Sequence, residues 1–182
     1  MKFPERLETK RLVLRRYRMS DINNFYQLLK NKHIIENFNL KPKLQNFENV
    51  RSLFSSLLNV HNSSYPTFAL AICNKLNDDF LGTCGLKSLK NGSEMECFYA
   101  LLPSFWGFGF AIEAMLKLLE FAFTVLKSQK ILIHMPPNNS RAWKVAERVG
   151  MKYMGHVPHY DSDMRTMLFS IEKKEYEAQR FY

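Results

Sequence analysis

The sequence predicts a single α/β (α+β) domain over residues 1–182, with a mixed, mostly antiparallel sheet of about six to seven strands and about four helices packed on both faces. Three observations predict this class. Apolar strand patterns joined by short polar turns indicate hairpins. An apolar strand at 95–102 leads into a glycine turn and a long amphipathic helix. A further apolar strand follows that helix, which predicts a right-handed parallel β-α-β crossover at the centre of the sheet.

The first third of the chain predicts one strand and two helices. Residues 8–17 predict the strand, and Ser20-Asp21 offers an N-cap for a helix that runs through Lys30. Residues 31–45 contain a proline and no clear period, which predicts a loop with room for a helical turn. A second helix is predicted from Phe47 to Val60, because its apolar residues recur at helical spacing.

Strands alternate with turns and two helices over the rest of the chain. Asn91-Gly92 is a strong hairpin signal, and Asn138-Asn139-Ser140 can cap a helix that Gly150 closes. The predicted strands are 67–73, 80–89, 95–102, 130–135, 152–157 and 164–172, and the predicted helices are 111–126 and 140–149.

Composition limits the function classes. The 182 residues are 46% hydrophobic, which suits one domain with its own core, and Lys and Arg outnumber Asp and Glu by 26 to 17. The net charge of +9 is scattered, so we expect no extended nucleic-acid surface. No apolar run reaches roughly 18 residues and the N-terminus lacks the apolar region of a signal peptide, so we expect a cytoplasmic protein without a membrane partner. Cys73, Cys84 and Cys97 lie in apolar strands, which predicts reduced core thiols and no zinc site.

The central strand ends at Pro103, and a turn with two glycines, residues 106–111, precedes the long helix. Such glycines permit positive φ and leave N–H groups accessible, and the helix start that follows favours a bound phosphate. Alone, a Gly-x-Gly is most often only a turn. The dinucleotide fingerprint lacks its strand-end acid, and no Walker Gly-Lys-Ser/Thr is present. On the helix, Glu113 and Lys117 are expected to pair on the outer side.

The run from Leu101 to Ala114 resembles the acetyl-CoA pyrophosphate loop of the GNAT N-acetyltransferase superfamily. It is most similar to the ribosomal-protein N-acetyltransferase (RimJ/RimL-like) branch, where Trp-Gly-x-Gly-Tyr-Ala-x-Glu-Ala is typical. The segment 139–151 resembles a second family motif, Asn-x-x-Ser/Ala-x-x-Val-x-Glu-Lys/Arg-x-Gly-Phe/Met, and residues 9–15 resemble the family's opening Thr-x-Arg-Leu-x-Leu-Arg. The resemblance extends from Leu7 to Tyr176, nearly the whole chain.

This resemblance implies an N-acetyltransferase in which a primary amine attacks acetyl-CoA directly within a ternary complex. The favoured acceptor is the N-terminal amine of a protein or peptide. A small-molecule amine acetyltransferase and a catalytically weak acyl-CoA-binding relative are the alternatives, and nucleic acid is expected only through a ribosomal substrate. The chain is expected to be a monomer or a homodimer, with acetyl-CoA as co-substrate and no metal.

The resemblance also implies where acetyl-CoA binds. By position in the motif, main-chain groups of residues 100–102 pair with the pantetheine arm, and N–H groups of residues 106–111 hold the pyrophosphate. Asn139 either contacts the cofactor arm or only caps its helix. Phe108 stands where relatives often carry Lys or Arg, so a charged helper is lost there. The implied cofactor-binding residues are Ala100, Leu101, Leu102, Trp106, Gly107, Phe108, Gly109, Phe110, Ala111 and Asn139.

Glu96 is the expected proton acceptor, because it interrupts an apolar strand just upstream of the glycine turn. The alternatives are an exposed or ion-paired carboxylate, with the proton leaving through water. Some relatives donate a proton to the leaving thiolate from a tyrosine where this chain has Ala146, and others from a serine where it has Ala142. Tyr153 and Ser140 are nearby substitutes, and water can also serve.

Two further segments are expected to lie near the acceptor. Residues 156–163 contain metal-capable side chains, but their spacing fits no standard metal site, and a substrate-facing loop is the better interpretation. By analogy with the family, His33, Phe38 and the residues around Pro42 form the other wall of the entrance.

Overall fold

The computed structural model describes residues 4–38, 40–58, 67–89, 92–159 and 164–179. The described ranges form eight strands and six α-helices. In chain order these are β1 (Arg6–Glu8), β2 (Leu12–Arg15), α1 (Ile22–Lys30), α2 (Lys32–Phe38), α3 (Phe47–Leu58), β3 (Thr67–Asn74), β4 (Phe80–Ser88), β5 (Glu94–Leu101), α4 (Phe110–Thr124), β6 (Lys130–Met135), α5 (Ser140–Arg148), β7 (Lys152–Pro158), β8 (Arg165–Glu172) and α6 (Lys173–Gln179). The predicted helix end at 59–60, the turn residues 90–91 and the second half of the predicted loop, 160–163, lie outside the described residues.

One mixed sheet has the strand order β1-β2-β3-β4-β5-β6-β8-β7. Every described pair of neighbouring strands is antiparallel except β5 and β6, which the α4 crossover joins in parallel. The predicted class is therefore confirmed, together with its parallel crossover at the centre. None of the described helices is long and apolar enough to cross a membrane.

The sheet has more strands than predicted, because the single strand expected at 8–17 is the hairpin of β1 and β2. The Thr9 N–H donates to the carbonyl of Leu12 at 3.0 Å, and the Leu12 N–H donates to the Thr9 hydroxyl at 2.8 Å. These two bonds reverse the chain within a sequence whose composition suits one continuous strand.

Two helices were also missed by the sequence pattern. Helix α2 falls in the region predicted as a loop, where the Asn31 side chain accepts the N–H of His33 at 3.1 Å and satisfies a donor of the helix start. Helix α6 begins where the Glu175 carboxylate accepts the N–H of Glu172 at 2.9 Å. Both helices are short and depend on capping by a local side chain, which hydrophobic periodicity does not show.

Two hydrophobic clusters cover opposite faces of the sheet. Helix α4 packs on one face through buried side chains such as Met115 and Leu118, and α1 and α3 pack on the other through Leu28 and Phe54. The predicted helices on both faces are confirmed. The three cysteines are buried free thiols, and burial raises the pKa of Cys84 to about 12, so these groups belong to the core.

The pairing of β5 with β6 ends early. It covers three residue pairs, from Glu94 with Lys130 to Glu96 with Leu132, although β5 runs on to Leu101. Beyond these pairs the two strands separate at their carboxyl ends. A gap therefore opens at the middle of the sheet, directly in front of the glycine turn.

Candidate active site

A cavity of about 1100 Å³ fills the gap between β5 and β6. Its walls are the end of β5, the glycine turn, the first turn of α4, the end of β6 and the first turns of α5. Helices α1 and α2 form the opposite wall, where His33 and Phe38 lie as the sequence analysis expected. A cavity of this size exceeds the usual range for one drug-sized ligand, so it can hold two ligands side by side.

Main-chain groups of β5 alternate between β4 and the gap. The Leu102 N–H donates to Leu81 O at 2.9 Å, and the Leu89 N–H donates to Glu94 O at 3.0 Å. Both bonds fit one continuous antiparallel register between β4 and β5, so the even-numbered residues of β5 form the hydrogen-bonded pairs. The main-chain hydrogen bonds of Ala100 and Leu102 in the sheet are therefore made with β4, not with the gap.

The odd-numbered residues of β5 turn their main-chain groups toward the gap. Tyr99 presents both its N–H and its C=O there, and Leu101 presents its N–H. The carbonyl of Leu101 accepts a hydrogen bond from the indole Nε1 of Trp106 at 2.7 Å. Tyr99 was not among the predicted cofactor contacts, and strand alternation relative to β4 is the signal that identifies it.

The glycine turn places main-chain donors at the mouth of the gap. Gly107 and Gly109 have φ of 85° and 79°, a region that residues with a Cβ rarely adopt. Helix α4 begins at Phe110, so the N–H groups of Phe110 and Ala111 have no helical acceptor of their own. The N–H of Trp106 is instead donated to Pro103 O at 3.1 Å. The positive end of the α4 dipole adds to these donors, which favours an anion.

The first hairpin braces this turn from behind. Arg11 donates from Nη1 to the carbonyl of Phe108 at 3.0 Å, and its guanidinium lies 4.5 Å from the centre of the Phe110 ring. The side chain of Phe108 is 62% exposed and is not one of the described residues that line the cavity. The cation of Arg11 thus lies close to Phe108, the position where the resemblance implies that relatives often carry a Lys or Arg.

Glu113 holds Arg11 in place. Its carboxylate accepts Arg11 Nε at 2.7 Å and the Thr9 hydroxyl at 2.6 Å. Burial alone would raise the pKa of Glu113, but the hydrogen bonds from Thr9 and Arg11 outweigh burial and hold it below the usual value. The expected pair of Glu113 with Lys117 is wrong, because Glu113 faces the hairpin and Lys117 binds Glu120 at 3.0 Å.

Helix α5 adds a cationic face to the cavity. Arg141, Lys144 and Arg148 all line it, since their spacing of three and four residues places them on one side of the helix. The guanidinium of Arg141 lies 4.9 Å from the centre of the Trp106 ring. Arg141 thus lies at the glycine turn, and the three cations together suit a ligand with several phosphates.

The start of α5 places two of the predicted residues at the cavity. The Asn139 side chain accepts the N–H of Ala142 at 3.2 Å, so it caps the helix, and both Asn139 and Ser140 line the cavity. Tyr153 lies elsewhere, on β7. It is 47% exposed, its hydroxyl is 2.6 Å from His156 Nδ1, and it is not one of the described residues that line the cavity.

A polar cluster lies where β5 and β6 begin to separate. The side chain of Glu96 is 14% exposed, and its Oε1 is 3.6 Å from His159 Nε2. The His159 ring lies 4.7 Å from the His134 ring, and His134 Nδ1 is 2.8 Å from the Thr166 hydroxyl. Glu96 was predicted from the sequence as a site residue, and His134 was not. In the described part of the chain, no three His, Cys, Asp or Glu residues are arranged to hold a metal ion.

Comparisons with known proteins give a consistent result. A sequence model of the acetyltransferase (GNAT) domain matches residues 11–152. The N-acetyltransferase p20 of Bacillus licheniformis, itself uncharacterized, is 27% identical over 179 residues, which are 94% of this chain and 98% of that protein.

Two solved structures have the same fold. RimL, the ribosomal L7/L12 α-N-protein acetyltransferase in complex with coenzyme A, superposes with a TM-score of 0.79 at 17% identity, over 92% of this chain and 98% of RimL. Spermidine N-acetyltransferase from Vibrio cholerae, in complex with CoA and spermine, superposes with a TM-score of 0.77 at 20% identity, over 93% of this chain and 99% of that enzyme.

Proposed function

Because the chain belongs to the GNAT family of acetyltransferases and takes acetyl-CoA as its co-substrate, we propose that it acetylates the N-terminal α-amine of a peptide or protein. The amine attacks the thioester carbonyl directly while both substrates occupy the cavity. The C–S bond then breaks, and coenzyme A leaves as a thiol.

The proposed position of acetyl-CoA follows from the free main-chain groups. The pantetheine amides pair with Tyr99 and with the N–H of Leu101, because these groups face the gap while those of Ala100 and Leu102 bind β4. The N–H groups of residues 107–111 receive the pyrophosphate. Arg141 and its two neighbouring cations on α5 attract the phosphates by charge.

The acceptor class rests on the wall opposite the glycine turn. Of the described residues that line the cavity, the carboxylates are Glu36 and Glu96. The wall is otherwise largely apolar. Its apolar side chains include Phe25, Leu28, Leu29, Ile34, Leu53 and Leu57. A peptide terminus brings one positive charge and a side chain to such a wall, whereas a polyamine brings several charges that need several acidic partners. The peptide α-amine therefore suits the wall better.

The experiment that tests this proposal measures thiol release from acetyl-CoA with a matched pair of peptides. Both peptides contain one lysine, and they differ only in a free or a blocked N-terminus. Release with the free terminus alone, and an acetyl group located there by mass spectrometry, is the expected result. Release with both peptides would move the acceptor to the lysine side chain. A higher kcat/KM with spermidine than with any peptide would replace the proposal with a polyamine acetyltransferase.

Ser140 is the proposed contact for the leaving thiolate. It lines the cavity at the start of α5, beside the region where the thioester is expected to lie. The hydroxyl of Tyr153 lies on the exposed side of β7 with His156, so it takes no part in this proposal. Water at the cavity mouth remains the alternative proton source for the thiolate.

A further inference from the structure

We infer that His134 takes the proton from the attacking amine, and that Glu96, His159 and Thr166 hold it in the state and orientation to do so. This inference rests on the proposed amine acetyltransfer. It assigns the role of proton acceptor to His134 on β6 instead of Glu96 on β5.

His134 lies at the narrow end of the gap. Leu132 is the last residue of β6 that pairs with β5, opposite Glu96, and His134 follows two residues later on the same face of the strand. The odd-numbered residues of β6, Ile131, Ile133 and Met135, point to the α4 side and are buried there. A pantetheine arm that runs from the glycine turn along β5 therefore brings its thioester end toward the His134 ring.

The contacts of Thr166 fit one tautomer of His134. Thr166 is buried on β8, and its hydroxyl oxygen lies 2.8 Å from His134 Nδ1 and 3.4 Å from the carbonyl oxygen of Val157. The hydroxyl can accept Nδ1–H while it donates its own proton to Val157 O. In this arrangement Nε2 is the ring nitrogen that takes up a proton. Thr166 acts through His134, so it is a positioning residue.

The charges around His134 favour a neutral ring that can still become protonated. Burial lowers the pKa of His134, the Glu96 carboxylate acts in the opposite direction, and His159 lowers it further. The described titratable groups that face His134 are Glu96 from β5 and His159 after β7, while β8 contributes the hydroxyl of Thr166. His134 is thus a neutral base near pH 7, and the Glu96 carboxylate stabilises the imidazolium that forms.

The proton balance is complete with groups already named. The acceptor arrives as an ammonium ion, drawn by Glu96, and gives one proton to His134 Nε2. The neutral amine attacks the thioester, and the second proton lost from nitrogen reaches the coenzyme A sulfur as the C–S bond breaks. His134 then returns its proton to solvent through the open cavity.

The decisive measurement is the pH profile of kcat/KM for His134→Gln and Glu96→Gln beside the wild type. Because burial lowers the pKa of His134, we expect the wild-type activity to fall in acid with a midpoint below 6.5, the usual pKa of histidine. His134→Gln is expected to lose about 100-fold or more in kcat/KM and to lose this acidic limb. Glu96→Gln is expected to keep the limb but shift it to lower pH, because the anion that favours the imidazolium is gone. An acidic limb that persists in His134→Gln and vanishes in Glu96→Gln would overturn the inference and return the role to Glu96.

Three additional variants separate chemistry from folding. His156→Gln makes the same change at an exposed position of β7, where the structure places His156 outside the described lining of the cavity, and is expected to retain wild-type rates. Thr166→Val is expected to lower kcat about tenfold and to shift the pH profile with little change in KM. His134→Ala is expected to regain part of its rate when imidazole is added, which a purely structural role would not allow.

Acetyl-CoA binding, measured on every variant by calorimetry, distinguishes a failure of the proposed function from a failure of the role of His134. A wild type that neither binds acetyl-CoA nor releases thiol would refute the proposed function. A wild type that turns over, together with a His134→Gln variant of equal rate and equal pH profile, would refute only the role of His134.

Discussion

The Arg11 guanidinium and the Glu113 carboxylate bind each other behind the glycine turn, with Nε and Oε2 2.7 Å apart. The same carboxylate accepts the main-chain N–H of Arg11 at 2.7 Å, across 102 residues of sequence. Because Arg11 also donates to the carbonyl of Phe108, this pair fixes the turn on which the pyrophosphate is proposed to rest.

Removing the Glu113 carboxylate is expected to weaken both the fold and the site. Glu113→Ala should lower the free energy of unfolding by about 1–3 kcal/mol, since three donors lose a charged acceptor. It should also raise the Kd for acetyl-CoA severalfold, because Arg11 no longer holds the turn. Urea unfolding and calorimetry check the two effects. Glu177→Ala, which removes an exposed carboxylate 3.9 Å from Lys173 on α6, should change the free energy of unfolding by less than about 1 kcal/mol and leave the Kd unchanged. Equal effects in both variants would show that the Arg11–Glu113 pair does not hold the glycine turn in place.

The lowered pKa of Glu113 predicts a specific acid response. A carboxylate whose pKa is lower in the folded state contributes stability above its unfolded value, 4.5, and this contribution is lost as pH falls through the folded value. Between about pH 5 and pH 3 the wild type should therefore lose more stability than Glu113→Gln. Thermal unfolding of both proteins across this range measures the difference. Parallel curves would show that the contacts of Glu113 carry no net stabilisation.

Gly109 and Gly92 form a matched pair for testing the glycine turn. Their φ values are 79° and 72°, so an alanine at either position should cost about 1–2 kcal/mol of backbone strain. A Cβ at Gly109 would lie 3.5 Å from Arg11 Nη2, whereas a Cβ at Gly92 would meet open space. Both variants should unfold at lower temperature, but only Gly109→Ala should raise the KM for acetyl-CoA. An unchanged KM in Gly109→Ala would argue against a pyrophosphate on this turn.

The indole of Trp106 orients the end of β5 beside the gap. Trp106→Phe keeps an aromatic ring for Arg141 but loses the 2.7 Å bond to Leu101 O, worth about 0.5–1.5 kcal/mol. We expect the Kd for acetyl-CoA to rise up to about tenfold. Trp143→Phe, which changes the other tryptophan, should leave the Kd unchanged and retain Trp106 as a fluorescent reporter of binding. Calorimetry in which Trp106→Phe binds acetyl-CoA as tightly as the wild type would rule out this role.

The central crossover could be predicted from the sequence because its signals are local. Pro103 ends the strand, the two glycines mark the turn, and the apolar residues of α4 recur at helical spacing. The same local reading failed at Thr9, where a side-chain hydroxyl folds an apparent strand into a hairpin. It also paired Glu113 within its own helix, because its real partner Arg11 is distant in sequence.

The polar cluster at the narrow end of the gap depends on strand order. Glu96 and His134 become neighbours because β5 and β6 pair in parallel, and Thr166 joins them because β8 lies between β6 and β7. The hydrophobic pattern of each segment does not show this strand order. One signal was present: each of β5 and β6 is largely apolar, and Glu96 and His134 are polar residues that interrupt them on the same face.

An amide NMR titration with acetyl-CoA reports where the cofactor binds. We expect saturable 1:1 binding, with the largest shifts at residues 99–101 and 107–111 and little change at residues 152–157 of β7, which are not among the described residues that line the cavity. Saturable binding whose shifts lie away from the β5–β6 gap, or no binding by the folded protein, would refute the proposed position of acetyl-CoA.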